Sequence, residues 1–279
     1  MQRVGSAGSF TATDHIAVLD AAIGQVPAAY RRDLLVTTDG AGASHEVIDH
    51  LHVLNTAAVH GGRGRRVEYS IGWPVDARTT GAIDQLGQGA WGPGLTATGK
   101  AEPEAQVAEL LRQGHGGDQL GSWPARMRVI ARRVPRTPTE QAQLGGDAHY
   151  LYGAFVTNTP TGQVQYLDAR HRTQAHVEDR IKELKTCGAT RLPSTSYARN
   201  SAWLQLAAHA VTLLAWTRLL GMDGDLAVAE PKTLRFRVLA APARYVRHAR
   251  RRVVKIPTGW AWATDLATAW DRIATLHPT

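Results

Sequence analysis

Three features of the chain predict an α/β fold built on one substantial sheet. Residues 34–38, LLVTT, form a short apolar run ending in β-branched residues, closed by DGAG and followed by an amphipathic helical pattern. A strongly charged helix around Glu178 carries an apolar stripe at Val177, Ile181 and Leu184, the spacing of a face packed on a core. Between them, the 138 residues separating Asp39 from Glu178 contain repeated strand patterns mixed with Gly, Pro and Trp, the texture of a β-rich insertion.

Taken in order, residues 1–10 read as a polar, glycine-rich loop. Thr11 or Thr13 caps a helix whose face is Ile16, Leu19, Ile23 and Val26, ending at Pro27. LLVTT reads as a fully buried strand in the middle of the sheet. Asp39 stands at its C-terminal end, where α/β sheets place their ligands, and Gly40 and Gly42 permit a tight turn. Ser44 then caps a helix with the core face Val47, Ile48, Leu51 and Leu54.

The basic loop GGRGRR precedes a strand, VEYSIGW, and Asp76 caps a short helix reaching Leu86. Residues 88–103 and 113–124 read as irregular connections. Strands are predicted at 127–133 and 149–157, and a shorter one at Val164–Leu167 leads into the charged helix. On that helix His171, Gln174, Glu178 and Lys185 fall along one ridge.

A long apolar helix follows from Ala198 to Leu220, with a wide buried face of Trp203, Leu206, Ala210, Leu213, Leu214 and Trp216 that covers the sheet. TLRFRVLA alternates as an edge strand with arginines on one face. ARYVRHARRRVVKI fits either a strand partner or a helix, and Asp265–Leu276 reads as a short capping helix.

With 279 residues, 43% of them hydrophobic, the chain is long enough to bury a full core. A formal net charge of +8 favours a polyanionic partner, most simply nucleic acid. The cations concentrate between Pro231 and Thr264, a stretch with no acidic residue that holds Lys232, Arg235, Arg237, Arg244, Arg247, Arg250, Arg251, Arg252 and Lys255. Such a stretch reads as a surface that tracks phosphates.

The single Cys187 excludes a disulfide framework and suits a reducing cytoplasm. No secretory leader opens the chain, and the most apolar segment is interrupted by Gln205, His209 and Arg218, so a cytoplasmic, non-membrane protein is expected. The histidines show no zinc-ligand spacing, no G-x-S-x-G elbow is present, and DGAG is not followed by the Lys-Ser/Thr of a phosphate loop.

The run RHRTQAHVEDRIKELKTCGATRLP resembles the third acidic motif of bacterial insertion-sequence transposases of the DDE type, in which Tyr, Arg, Glu and Lys follow one another at gaps of two, three and six residues. Glu178 and Lys185 stand at the Glu and Lys positions, while His171 and Gln174 replace the Tyr and Arg. LLVTTDGAGASHEVIDHL is similar to the second acidic motif of the same group. The resemblance extends over nearly the whole chain.

It implies an α/β architecture with an RNase H-like core interrupted by a β-rich insertion. Residues 1–60 form the first part of the core, 61–165 the insertion, 166–222 the rest of the core and 223–279 a basic C-terminal region. Asp39 and Glu178 are then catalytic carboxylates holding Mg²⁺ or Mn²⁺ for phosphodiester transfer. His171, Gln174, Lys185, Arg235, Arg237, Arg247, Arg250, Arg251, Arg252 and Lys255 contact DNA, both the element's ends and its target.

The family's first Asp lies on a strand upstream of the region matched here, and no strand ending in Asp precedes residue 10. The expectation is therefore a chain truncated at its N-terminus, lacking the first core strands and weakly active or inactive. It acts alone, as a homodimer or paired with a full-length transposase. The competing readings are a non-catalytic DNA-binding remnant that inhibits a full-length enzyme, and a structural α/β protein with a basic surface.

Overall fold

The computed structural model describes residues 11–56, 66–96, 98–112, 123–124, 127–143, 149–248 and 251–276. The opening loop and most of GGRGRR lie outside the described residues. The chain divides into two compact units with the boundary at Ala175/His176.

Unit 1 begins with α1 (Ala12–Gln25). Of the two candidate caps, Thr11 caps it, through a reciprocal capping box with Asp14. Strand β1 (Asp33–Thr38) ends at Asp39, a single 3₁₀ turn covers Gly40–Gly42, and α2 (His45–Thr56) follows. The Ser44 hydroxyl accepts from Val47 N at 3.3 Å. Next come β2 (Arg66–Trp73) and α3 (Ala77–Asp84), the latter capped by Asp76 as expected. Strands β3 (Gly92–Leu95), β4 (Ala101–Arg112) and β5 (Arg128–Pro135) lead to α4 (Pro138–Gln143), β6 (Tyr150–Thr157) and α5 (Val164–Arg172).

The strands form one six-stranded sheet in the order β1-β2-β6-β5-β4-β3. Only β1 and β2 run parallel, and every other pairing is antiparallel. Strand β2 organises the packing through its alternation. Val67, Tyr69 and Ile71 pack with Val47, Ile48 and Leu51 of α2, joined by Met127, Val129 and Val156, with Ile16 and Leu19 of α1 against them. The opposite face of the sheet receives α5, whose Leu167 packs with Ile130 and Phe155.

A network of buried ions fixes α5 to the sheet. Asp168, 1% exposed, accepts from Arg132 at 2.8 Å and from Arg172 at 3.2 Å. Arg170 donates to Glu68 at 2.6 Å, and Arg128 pairs with Glu109 at 2.7 Å. Burial pushes the Asp168 carboxyl above the usual carboxylate range, against the pull of Arg132 and Arg172.

Unit 2 contains α6 (Ala175–Leu184), continued by a π-helical turn over Lys185–Ala189. Then come α7 (Tyr197–Trp216), a second π turn (Thr217–Gly221), α8 (Gly224–Ala227), and α9 (Pro231–Leu234) with a third π turn (Arg235–Leu239). A hairpin of β7 (Arg244–His248) and β8 (Arg251–Lys255) precedes α10 (Ala263–Ala274). The core here is small: Met222, Leu226, Ala229, Leu234 and Ala269, with Leu214, Val238 and Trp262 against them. Gly188, with φ at 106°, lets the chain leave the first π turn where a Cβ would come within 3.1 Å of Trp203, whose indole N–H donates to Gly188 O at 2.9 Å.

Several sequence expectations are corrected. Among the described residues β1 is an edge strand, and none of its residues is fully buried; apolar character alone does not tell an edge from a centre. Residues 92–95 and 101–103 belong to strands β3 and β4 rather than to irregular connections. Pro93 is tolerated because β3 is an edge among the described residues, and Pro103 because it falls in the register shift between β3 and β4.

Val164–Leu167 is the first turn of α5. Val164 and Leu167 share an i, i+3 face, a spacing that a four-residue window cannot separate from alternation. TLRFRVLA is helical for the most part, and the more basic segment after it is a hairpin. The wide buried face expected on the long helix is absent: in α7 only Asn200 and Ala207 are buried, while Leu206, Leu213 and Trp216 are exposed.

Candidate active site

The best-defined feature is the turn after β1. Asp39 follows the last residue of the strand and is exposed. Its backbone is anchored on both sides: Gly42 N donates to Asp39 O at 3.1 Å, and Ala43 N to Gly40 O at 3.1 Å. Below the turn lies Gly72 of β2. A Cβ there would come within 2.7 Å of Gly40 N and 3.0 Å of Asp39 C, so the turn rests directly on the neighbouring strand and only glycine permits that approach.

Two residues from the end of α5 complete this framework. Gln174 lies against the Thr38–Asp39 peptide. Oriented to satisfy both neighbours, its carboxamide nitrogen is 2.9 Å from Thr38 O and its oxygen 2.7 Å from Asp39 N. His171 turns inward, with its Nδ1 2.9 Å from the Ser70 hydroxyl and its ring stacked on Phe155 at 4.4 Å. Burial pushes the imidazole down to about 4, so it is neutral near pH 7.

The expected ridge of His171, Gln174, Glu178 and Lys185 does not form. The helix breaks after Arg172, where the Thr173 hydroxyl donates to Arg170 O at 2.7 Å and competes with helical continuation. His171 is partly buried against Ser70 and Phe155 in unit 1. Glu178 lies in the first turn of α6, exposed, and Lys185 opens the π turn, also exposed. The apolar stripe beside them is not a core face, since Val177 is 50% and Ile181 47% exposed.

The carboxylate that α6 ties down is Glu183, which sequence patterning did not single out. It accepts from Arg218 at 2.6 Å and from Arg180 at 2.7 Å. Its burial would raise the carboxyl, but those guanidinium groups outweigh that and hold it below the usual range. Its only sequence signal was the Arg180–Glu183 spacing. Arg218 is 35 residues away.

The sequence matches the family model described as Transposase DDE domain group 1 over residues 6–278. The chain belongs to the DDE transposase family. No curated protein and no solved structure matches it significantly. The mixed α/β structure, with a parallel β1–β2 pair extended by antiparallel strands, agrees with the fold class expected of this transposase domain. Among the described residues, no three His, Cys, Asp or Glu side chains form a metal-binding group, and no helix is long and apolar enough to cross a membrane.

The transposase's basic region is placed in unit 2. Arg235 and Arg237 lie in the third π turn, with Arg237 over the Trp262 ring at 5.0 Å. In the hairpin Arg247 stands opposite Arg252, and Arg244 opposite Lys255. Like charges directly opposed destabilise a ladder, and among the described residues no ion pair engages these four side chains. Arg250 lies outside the described residues, and of Arg251 only the backbone, at the start of β8, is described.

Proposed function

We propose that this transposase chain performs divalent-metal-dependent cleavage and transfer of DNA strands during transposition of an insertion sequence, with Asp39 and Glu178 as its metal-binding carboxylates. The observation that carries the reading is the Asp39 turn: an exposed carboxylate at the C-terminal end of a parallel strand, braced on Gly72 and Gln174. Glu178 supplies a second exposed carboxylate from the acidic motif. The donor chemistry fits Mg²⁺ or Mn²⁺, which take hard oxygens and are commonly held by one or two carboxylates together with substrate phosphates. When bound, such an ion supplies Lewis-acid stabilisation of the phosphoryl and leaving oxygens and lowers the pKa of an attacking hydroxyl or water.

The remaining groups hold the substrate. Lys185 pairs with a phosphate as a point charge, and Arg235, Arg237, Arg247, Arg252 and Lys255, with Arg250 and Arg251, contact the DNA backbone without reading sequence. The opposed like charges of the hairpin support this role, because phosphates between them relieve the repulsion. We also propose residues 61–165 as the inserted segment of the core and the cytoplasm as the site of action. Pairing with a second transposase copy is supported by exposed apolar side chains in unit 2, including Leu219 and Trp270.

The test is incubation with duplex DNA carrying the ends of the encoding element in Mn²⁺ or Mg²⁺. Weak nicking is expected, and Asp39→Asn and Glu178→Gln are each expected to abolish it. Nicking that survives both substitutions ends the assignment. In parallel, replacing Arg247 and Arg252 by Ala should reduce the slope of log K against log salt by about 0.9 for each phosphate left without its cation. An unchanged slope removes the hairpin from the interface.

A further inference from the structure

We propose that Gln174 is a positioning residue for Asp39, acting on the backbone of the turn rather than on DNA. The inference rests on the reading of Asp39 as a metal ligand, and it assigns a different role from that implied by the motif position Gln174 occupies.

The geometry is specific. The Gln174 carboxamide faces the one peptide that joins the last residue of β1 to Asp39; assigned so that both neighbours are satisfied, its nitrogen lies toward Thr38 O and its oxygen toward Asp39 N. The two amide dipoles therefore oppose each other, an attractive arrangement. Among the described residues β1 pairs with β2 alone, so the chain beyond Thr38 continues beside one strand. Gly72 seats the turn from β2, and Gln174 reaches it from the α5–α6 junction.

That junction is itself fixed. Gln174 N donates to His171 O at 3.1 Å, and His171 is held by Ser70 and Phe155. The chain of support runs from the sheet through His171 and Gln174 to the backbone of the ligand. A glutamine turned onto a peptide uses its polar atoms for orientation.

The test uses the full chain with a duplex of the element's end. Mn²⁺ binding is followed by electron paramagnetic resonance, and DNA affinity is measured separately. Gln174→Ala removes the amide. Gln174→Met keeps length and packing without polar atoms, and carries the test should the alanine variant fold poorly. Both are expected to raise the half-saturating Mn²⁺ concentration by about tenfold or more, the usual effect of removing a partner that orients a ligand, with the DNA Kd within twofold of wild type.

Mn²⁺ binding within twofold of wild type in Gln174→Met overturns the proposal. So does a weakened DNA Kd with unchanged Mn²⁺ binding, which would make Gln174 a phosphate contact. Asp39→Asn separates the two levels. If it leaves Mn²⁺ binding unchanged, the metal role of Asp39 falls and the positioning role with it. If it abolishes binding while the Gln174 variants do not weaken it, only the positioning role is refuted.

Discussion

The two units differ in how much of their charge is paired internally. Unit 1 buries its ions and pairs them: Asp168 with Arg132 and Arg172, Glu68 with Arg170, Arg128 with Glu109. Unit 2 leaves its hairpin cations without ion pairs among the described residues, and exposes large apolar side chains, with Val228 at 81%, Leu219 at 80% and Trp270 at 71%. The first pattern belongs to a framework that holds a helix on a sheet. The second is the surface that carries the proposed DNA contacts. Asp39 sits on the first kind of structure, and the proposed phosphate contacts on the second.

The comparison breaks most easily at Asp168. Asp168→Ala leaves Glu102 as the remaining ion-pair partner of Arg132 and Arg172 and should cost about 3 kcal/mol in urea denaturation, the lower end for a broken buried pair. A loss below about 1 kcal/mol would mean that the network is not what fixes α5.

The next largest effect is on pH dependence. His171 is held neutral in the folded chain down to about pH 4, whereas its unfolded value is near 6.5. Below pH 6.5 the unfolded state takes up a proton that the folded state refuses, so stability falls with decreasing pH across that window and is level above it. The loss should approach about 3 kcal/mol by pH 4 and be absent from His171→Asn when the two proteins are compared by thermal melting. Identical pH profiles would place the imidazole in water.

Within unit 2, Trp203→Phe deletes the bond to Gly188 O while keeping most of the packing, and should cost about 1 kcal/mol. Smallest of all, Leu219→Gln and Trp270→Gln should change monomer stability by less than about 0.5 kcal/mol, as expected of exposed sites. If either instead lowers stability in a way that depends on protein concentration, the surface is covered by a second copy.

Much of the site's local structure was legible before the fold was known. The Thr11 and Ser44 caps, the face of α2 and the cap at Asp76 each depend on neighbours within four residues, and each appears as predicted. The placement of Asp39 after a strand follows from the same short-range logic. The errors fall where spacing is ambiguous or context decides. Four residues at 164–167 fit both a strand and a helix, and the ridge through Glu178 assumed a helix that Thr173 interrupts.

By itself, then, the sequence determined the family, the charge balance, the capped helices α1, α2 and α3 and the strand before Asp39, because motifs, composition and caps are local quantities. Only the tertiary structure decided that β1 lies at an edge among the described residues, that His171 points inward onto Phe155, that Gly72 makes room for the Asp39 turn and that Gln174 rests on the peptide beside it. These depend on which strands pair and how closely backbones approach. Residues 72 and 174 are 33 and 135 positions from Asp39 along the chain, and no pattern within a single element encodes that they meet it.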